Sequence, residues 1–486
     1  MPDAGPATPP ATPPSWRVAA LATLGGGALL GFRAAVGGAT GRLAAASLGA
    51  GLLSAVPIAL ASRRPPITPR TLPVDGTTAT FTILIAARDE AAVLPQVIAD
   101  LGAQDHRSAE GRPFFELIVV DDRSTDGTPQ AALRASAAAG LGGVTRLIRR
   151  AGSDLPDGKG AALTAVPPDA CHGDLIVVLD ADARVLPNFL STLATYAAAG
   201  AKAMTGRRRI IGAERSHLAG AQADEQTVDG EIQGGRWGLG GCSEFRGNGI
   251  VVRRELLAAV GGWRAEALTE DLDLSSRVAA QTGLTVAWAI EAEVWEEPVH
   301  TWSELWRQRV RWAEGAIRRA LEHGPAVLRS GRLPPMAKLD FAAYVAQLGA
   351  PPLMIGAVAG ALATGRNRAA LALLGAYGSA AGGLAFDSLR WETRPDGSAL
   401  SLVERLGRSV RLALFGIVWL AAVPAALWRV GARQGPVTYD KMAHHGEAEP
   451  VEPVQSRPGV ETTTEPEVAT TEAVVTEAAA AELAGR

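Results

Sequence analysis

Two aspartates one residue apart, Asp180 and Asp182, close a short apolar run. The run from Leu175 to Leu179 is too short for a core helix and shows no polar alternation, so it predicts a strand buried on both faces. Carboxylates cannot stay bare inside such a strand and must lie at or beyond its C-terminal edge, where open α/β sheets bind ligands. Two carboxylates at this spacing could share one hard cation, Mg²⁺ or Mn²⁺, that holds a diphosphate. A solvated loop that carries two aspartates is the competing interpretation.

Three further strands are predicted before this one, at residues 81–86, 114–120 and 141–148, each followed by a helical pattern. Together with the strand before Asp180 they form a β-α-β series, and a parallel sheet built from it would place several loops on one edge. The charged residues expected at that edge are Asp121, Asp122, Lys159, Asp180 and Asp182. Because they come from separate elements, we expect the chemistry to take place there.

The composition and the absence of certain motifs argue against several classes of protein. The formal net charge is −3, which argues against a nucleic-acid partner. No G-x-G-x-x-G follows the first predicted strand and no G-x-x-x-x-G-K-[ST] occurs, so a dinucleotide dehydrogenase and a P-loop nucleotidase are disfavoured. Cys171 and Cys242 lack C-x-x-C or metal-ligand spacing, which argues against a disulfide framework or structural zinc. A nucleotide-sugar site is the remaining common use of such a sheet.

Three later stretches also carry charged side chains. Thr269 is expected to cap a helix that begins with Glu270 and Asp271, acids that the helix dipole favours at this position. A helix at residues 302–321 mixes Trp and Arg side chains, which is typical of an interfacial helix at an anionic leaflet. The arginine run at 207–209 is expected to form a solvated face.

Long apolar stretches lie towards both ends of the sequence. Those at residues 18–32 and 43–61 are near the length needed to cross a bilayer, although a cleaved signal peptide is a competing interpretation of the first. Arginines follow the second stretch, and the positive-inside rule places that end in the cytoplasm. Three more stretches lie at 341–364, 369–386 and 412–428. We therefore expect a multi-pass protein of the cell membrane with five spans and a cytoplasmic catalytic domain.

These features divide the sequence into five segments. In chain order they are a disordered N-terminus (1–15), two transmembrane helices (16–62), a catalytic domain with its interfacial helix (75–335, helix 302–321), about three transmembrane helices (338–430) and a disordered acidic tail (446–486). The N-terminal segment is assigned because it is rich in Pro and Ala, and the tail because it has almost no bulky side chains.

Four motifs in this order resemble those of membrane-embedded family 2 glycosyltransferases, which include the processive synthases of cellulose, chitin, hyaluronan and poly-N-acetylglucosamine. The motifs are Asp121-Asp122, Asp180-Ala181-Asp182, Thr269-Glu270-Asp271 and Gln308-Arg309-Val310-Arg311-Trp312. The resemblance covers about residues 81–321, together with the layout of apolar stretches on both sides. It implies an α/β fold of the GT-A class (nucleotide-diphospho-sugar transferase, Rossmann-like) flanked by transmembrane helices. It also implies a nucleotide-diphosphate sugar donor, Mg²⁺ or Mn²⁺ as cofactor, and inversion at the anomeric carbon.

The resemblance also implies a role for each matching donor-site residue. The donor-binding residues are Ala86, Arg88, Glu90, Asp121, Asp122, Lys159 and Asp180. Among them, Asp122 would accept a hydrogen bond from the uracil ring, and Asp180 would face the ribose or the sugar. Asp182 would bind the metal.

The implied catalytic residues are Asp271 and its neighbour Glu270. Asp271 matches the general base that takes the proton of the acceptor hydroxyl, a contribution worth roughly 10²- to 10⁴-fold in rate. The implied acceptor- and diphosphate-binding residues are Gln308, Arg309, Arg311 and Trp312. The Trp would stack on the terminal sugar, and the arginines would offset charge on the leaving group.

The expected function is therefore a processive or semi-processive polysaccharide synthase that uses a UDP-sugar, and the alternative is transfer of a single sugar to a membrane lipid. The expected partners are the nucleotide sugar, a polysaccharide or lipid acceptor, and membrane lipid. A sugar-1-phosphate nucleotidyltransferase would need a Gly-rich loop with Thr and Arg after the first strand, which residues 87–90 lack. A membrane scaffold with a degenerate domain is disfavoured because all the carboxylates are present.

Overall fold

The computed structural model describes residues 12–70, 72, 78–152, 156–394 and 397–433. Most of the predicted disordered N-terminus and the whole predicted acidic tail lie outside these residues. The first helix begins at Pro14, two residues before the predicted boundary.

Over the described residues, the middle of the chain forms an eight-stranded mixed sheet. The strands are β1 (Phe81–Ala87), β2 (Phe115–Asp122), β3 (Thr145–Arg150), β4 (Leu175–Asp180), β5 (Arg184–Val185), β6 (Ala203–Ile210), β7 (Ile250–Arg253) and β8 (Ala287–Glu296). Their order across the sheet is β3-β2-β1-β4-β7-β6-β8-β5. Strands β1 to β4 pair in parallel, as predicted, and β7 runs antiparallel between β4 and β6.

Helices cover both faces of this sheet and form the bundle at the ends of the chain. They are α1 (Pro14–Val36), α2 (Thr40–Ala61), α3 (Leu94–Gly102), α4 (Thr128–Ala138), α5 (Lys159–Leu163), α6 (Phe189–Ala198), α7 (His217–Gly238), α8 (Arg254–Ala259), α9 (Glu270–Thr282), α10 (Trp302–Arg329), α11 (Pro335–Ala346), α12 (Ala350–Ala363), α13 (Asn367–Ser388), α14 (Leu402–Phe415) and α15 (Ile417–Ala432). Alternate residues of β4 enter separate hydrophobic clusters on the two faces, which explains its unbroken apolar run.

The prediction that the arginine run at 207–209 forms a solvated face is wrong. These residues lie in β6, and Arg207 is only 1% exposed. Arg207 and Arg209 pair with Glu392 at 3.1 Å and 2.6 Å, and Arg208 pairs with Glu296 at 2.5 Å. The run became buried because carboxylates distant in sequence neutralise it, and no local pattern reveals such partners.

Four helical stretches of the described residues are long and apolar enough to cross a membrane, by length and composition. They are Pro14–Val36, Pro335–Ala363, Asn367–Trp391 and Leu402–Ala432. The second predicted span corresponds to the 22-residue helix α2, which is not among the four. Helix α1 packs along α12, and α2 packs along α13.

Candidate active site

A cavity of about 920 Å³ lies beyond the carboxyl ends of β1, β2 and β4. The predicted site residues that line it are Ala86, Arg88, Glu90, Asp122, Lys159, Asp180, Asp182, Glu270, Asp271, Gln308, Arg311 and Trp312. Asp121 and Arg309 are not among its lining residues. The structure thus brings residues from widely separated elements into one cavity, and it places two predicted residues behind its wall.

Lys159, the first residue of α5, links the two carboxylate groups of the cavity. Its Nζ lies 2.5 Å from Asp180 Oδ1 and 3.5 Å from Glu270 Oε1, and it donates to the carbonyl of Gly247 at 2.7 Å. Burial alone would lower the pKa of the Lys159 ammonium, but these carboxylates outweigh it and raise the pKa above the ordinary value. The lysine therefore stays charged and holds the end of β4 against the start of α9.

A glycine-rich turn, residues 246–249, packs beneath this lysine. Gly247 and Gly249 have φ values of 65° and 74°, which favour glycine. A Cβ at Gly249 would lie 2.8 Å from Cγ2 of Val294 on β8, so the turn also needs a residue without a side chain. Between them the fully buried Asn248 accepts from the backbone N–H of Asp180 at 3.1 Å. The turn thereby fixes the end of β4.

Glu270 and Asp271 occupy the first turn of α9. Burial and the neighbouring Asp271 raise the pKa of Glu270 to about 7, although Lys159 opposes the rise. Burial also raises the pKa of Asp271, although its Oδ1 accepts from the backbone N–H of Leu272 at 2.8 Å. Thr269 occupies the N-cap position, but contrary to prediction its side chain makes no capping hydrogen bond. Both carboxyl groups therefore hold their protons to higher pH than exposed carboxyl groups do.

Asp121 and Asp122, the last residues of β2, point in opposite directions because side chains alternate along a strand. Asp122 lines the cavity, and its Oδ1 lies 2.8 Å from Arg150 Nη1 and 2.9 Å from Arg123 Nε. Asp121 is fully buried and pairs with Arg149 at 3.1 Å. Of the two, only Asp122 faces the space in which a nucleotide could lie.

Helix α10 forms another wall of the cavity. Its Gln308, Arg311 and Trp312 line the cavity, whereas Arg309 is 1% exposed and lies beneath them. The Arg309 guanidinium pairs with Glu225 of α7 and lies 4.3 Å from the centre of the Trp312 ring. Arg309 is therefore placed to position Trp312.

Several charged and aromatic residues that line the cavity are not among the predicted site residues. They are Arg208, Glu225, Asp229, Arg246 and Tyr344. Arg246 pairs with Asp229 at 2.8 Å and donates to the Tyr344 hydroxyl at 2.7 Å. The one local signal for these residues was the glycine-rich turn next to Arg246. The partners of Arg246, Asp229 and Tyr344, come from α7 and α11, which are distant in the sequence.

The cavity contains oxygen ligands suited to a divalent cation. Asp182 and Asp180 line it one residue apart, and acidic side chains outnumber basic ones among its lining residues. Mg²⁺ typically binds one or two carboxylates together with substrate phosphates, so this donor set fits such an ion. Three other residues with closely spaced ligand atoms, Asp273, Glu322 and His323, do not line the cavity. Arg264 contacts all three of them.

The other end of the cavity is apolar. Its lining residues there come from the helices of the bundle and the segment before α12, and they include Leu348, Leu384, Phe415, Trp419 and Val423. One continuous cavity therefore joins the carboxylates at the sheet edge to hydrophobic side chains of the bundle.

A family model described as "Glycosyltransferase like family 2" matches residues 79–315, which include the sheet and the start of α10. These residues form a family 2 glycosyltransferase domain. The mannosyltransferase PcManGT from Pyrobaculum calidifontis, solved with GDP-Man and Mn²⁺, matches 80% of this chain and 97% of its own, with a TM-score of 0.52 and 20% identity. At that identity the likeness supports the GT-A fold of the glycosyltransferase domain.

Curated relatives of different kinds resemble this chain in sequence. The beta-monoglucosyldiacylglycerol synthase of Nostoc sp. (strain PCC 7120) is 33% identical over 262 residues, 53% of each protein. The poly-beta-1,6-N-acetyl-D-glucosamine synthase of Staphylococcus aureus (strain COL) is 23% identical over 266 residues, 52% of this chain and 58% of the synthase. This chain spans about half the length of the curated relatives it matches.

Proposed function

We propose that the protein transfers one sugar from a nucleotide-diphosphate donor, most simply a UDP-sugar, to the hydroxyl group of a membrane lipid, with inversion at the anomeric carbon. The observation that carries this proposal is the single cavity that joins the carboxylates to the apolar side chains of the bundle. A lipid needs both environments, since its hydroxyl must reach the base while its chains remain away from water.

In this proposal Asp271 is the general base. It takes the proton of the acceptor hydroxyl as that oxygen attacks the anomeric carbon, and the bond between this carbon and the diphosphate oxygen breaks. Negative charge then accumulates on the departing diphosphate, and Arg311 lines the cavity where it could offset that charge. Asp122 would accept from the nucleobase, while Asp180, held by Lys159, would face the ribose or sugar.

Asp182 would hold the divalent metal, with Asp180 nearby and the donor's phosphates as further ligands. When bound, such an ion neutralises charge on the diphosphate as it leaves. The protein would be a multi-pass membrane protein with the glycosyltransferase domain in the cytoplasm, where nucleotide sugars are made. The long apolar helical stretches support insertion in a membrane.

The first experiment incubates membranes that contain the protein with a panel of UDP-sugars and a lipid extract. We expect metal-dependent release of UDP and a lipid product that carries one sugar, identified by mass spectrometry. The Asp271→Asn variant should lose turnover by at least about 10²-fold while it still binds UDP with Mn²⁺, because it removes the base and leaves the donor contacts.

The matched control is Asp169→Asn, which changes an exposed aspartate outside the cavity. It should retain normal turnover. Turnover in Asp271→Asn equal to that of the control would overturn the assignment of the base. Release of UDP without formation of a glycolipid would overturn the proposal that the acceptor is a lipid.

A polysaccharide acceptor is the second candidate. The similarity to the S. aureus synthase supports it. The two candidates differ in the product, because a processive enzyme would yield a ladder of long chains instead of one mass increment per lipid.

A further inference from the structure

The last apolar stretch, Leu402–Ala432, is tied to the glycosyltransferase domain near its beginning. Asp224 of α7 is fully buried and pairs with Arg408 at 2.6 Å and Arg411 at 2.7 Å, both on α14. The loop before α14 is tied down as well, because its Glu392 pairs with Arg209 of β6 at 2.6 Å. The stretch therefore begins on the side of the membrane where the glycosyltransferase domain lies, which we call the catalytic side.

The same stretch is tied to the catalytic side in its middle and at its end. Trp419 donates from its indole N–H to Glu225 of α7 at 2.7 Å. Arg433, just after α15, lies 3.4 Å from Glu314 of α10. The carbonyl of Gly431 accepts from Arg17 at 3.1 Å, near the beginning of α1. A helix that crossed the bilayer would have its ends on opposite sides, and this one does not.

The composition of α14 agrees with these contacts. One face carries large apolar side chains that no other part of the described structure covers: Leu402, Val403, Leu406, Val410 and Leu414, each more than half exposed. The opposite face carries Arg405, Arg408 and Arg411. Three arginines within one segment would be costly in the hydrocarbon core, whereas a helix with a basic face and an apolar face suits the membrane interface.

The length of the stretch points the same way. A continuous helix of 31 residues would be about 46 Å long, against about 30 Å for the hydrocarbon core. Instead the helix is interrupted at Gly416, between α14 and α15. Helix α15 then packs along α10 of the glycosyltransferase domain and along α1.

We infer that residues 402–432 do not cross the membrane: they lie in the leaflet on the catalytic side, and the exposed apolar face of α14 is a surface that binds lipid. The chain then returns to the catalytic side at Arg433. The spans are α1, α2, the 17 residues 347–363 that contain α12, and α13, and the loop between α12 and α13 lies on the far side. Arg366 of that loop donates to the carbonyl of Ala35, near the end of α1.

The topology can be tested by cysteine labelling of the full-length protein in sealed membrane vesicles of both orientations. The background is Cys171→Ala with Cys242→Ala, which removes two buried thiols. Single cysteines are then placed at three exposed positions, as Glu110→Cys, Arg368→Cys and Ala432→Cys. A membrane-impermeant maleimide should label positions 110 and 432 from the same side, and position 368 only from the other.

Labelling of position 432 together with 368 would overturn the inference, because the stretch would then cross the bilayer. Labelling of all three positions from one side would overturn it as well, because the bundle would then not span the membrane. Neither outcome bears on the sugar-transfer chemistry, so this proposal and the proposed function can fail separately.

The depth of α14 is a second, independent measurement. A fluorophore attached through Val403→Cys should be quenched more strongly by lipids that carry a spin label near the headgroup than by lipids labelled deep in the acyl chain. The matched control is Leu29→Cys in α1, which is also exposed and lies within a proposed span. It should show the reverse preference. Equal deep quenching at both positions would contradict an interfacial α14.

Discussion

At the scale of residues, the proposed proton chemistry depends on the acid pair at the start of α9. Asp271 can act as a base only when it is ionised, and both it and Glu270 have raised pKa values because they are buried side by side. Lys159 limits this rise, since it contacts Glu270 at 3.5 Å. The pair therefore loses its protons in two coupled steps, at higher pH than exposed carboxyl groups do.

A prediction for the pH dependence follows from this pair. In the wild type, kcat/KM should rise with pH through an inflection near pH 7, because below it the pair retains a proton. In Glu270→Gln the neighbouring charge is absent, so Asp271 ionises more readily and the inflection should move to more acidic pH. Initial rates measured from pH 5.5 to 9 check this. Glu255→Gln, an exposed acid outside the cavity, should leave the profile unchanged, and an unmoved inflection in Glu270→Gln would mean that another group titrates.

At the scale of elements, the close contact of α10 with the start of α9 positions the proposed base, Asp271. Gly315 of α10 faces Thr269, and a Cβ at Gly315 would lie 2.2 Å from Cγ2 and 2.6 Å from Oγ1 of that residue. Glycine allows the two helices to approach, which brings Trp312 and Asp271 to the same cavity.

Gly315→Ala should therefore displace the start of α9. We expect a loss of about 1–3 kcal/mol in stability from overpacking and a fall in kcat of at least about tenfold, since small displacements of a catalytic group are costly. Gly324→Ala in the same helix is the matched control, because its new methyl group would meet Phe341 at an ordinary 3.7 Å. Thermal unfolding in detergent and single-turnover rates check both variants. Equal rates in both would contradict a positioning role for this contact.

At the scale of the whole molecule, buried ion pairs join the glycosyltransferase domain to the helices that line the apolar end of the cavity. Asp224 holds α14 through Arg408 and Arg411, and the adjacent Glu225 accepts from Trp419 of α15. The apolar end of the cavity thus depends on contacts between segments about 200 residues apart in the chain.

Asp224→Asn should weaken this connection. It leaves two guanidinium groups without their counter-charge, which we expect to cost about 2–3 kcal/mol, below the value for fully buried pairs because both arginines retain some solvent contact. The apparent Tm should fall and the KM for the lipid acceptor should rise, with the KM for the nucleotide sugar unchanged. Glu214→Gln, an exposed acid just before α7, is the control. Equal increases in both KM values would argue against a specific effect on the acceptor.

Local patterns in the sequence were enough to predict the parallel half of the sheet. Strands β1, β2 and β4 lie where the short apolar runs predicted them, because a strand buried on both faces needs such a run and few other structures do. The same reasoning placed charged residues at the strand ends, and most of the predicted set lines one cavity.

Other features were decided only by tertiary contacts. The arginines of β6 looked solvated because their partner Glu392 is nearly 200 residues away, and Asp121 could not be separated from Asp122 until the direction of each side chain was known. Hydropathy suggested that the last apolar stretch crosses the membrane, whereas its ion pairs with α7 and α10 tie it to the catalytic side. The periodicity of apolar residues in a segment indicates which of its faces is buried and which is exposed to water. Which distant charge neutralises a given side chain depends on the folded chain as a whole.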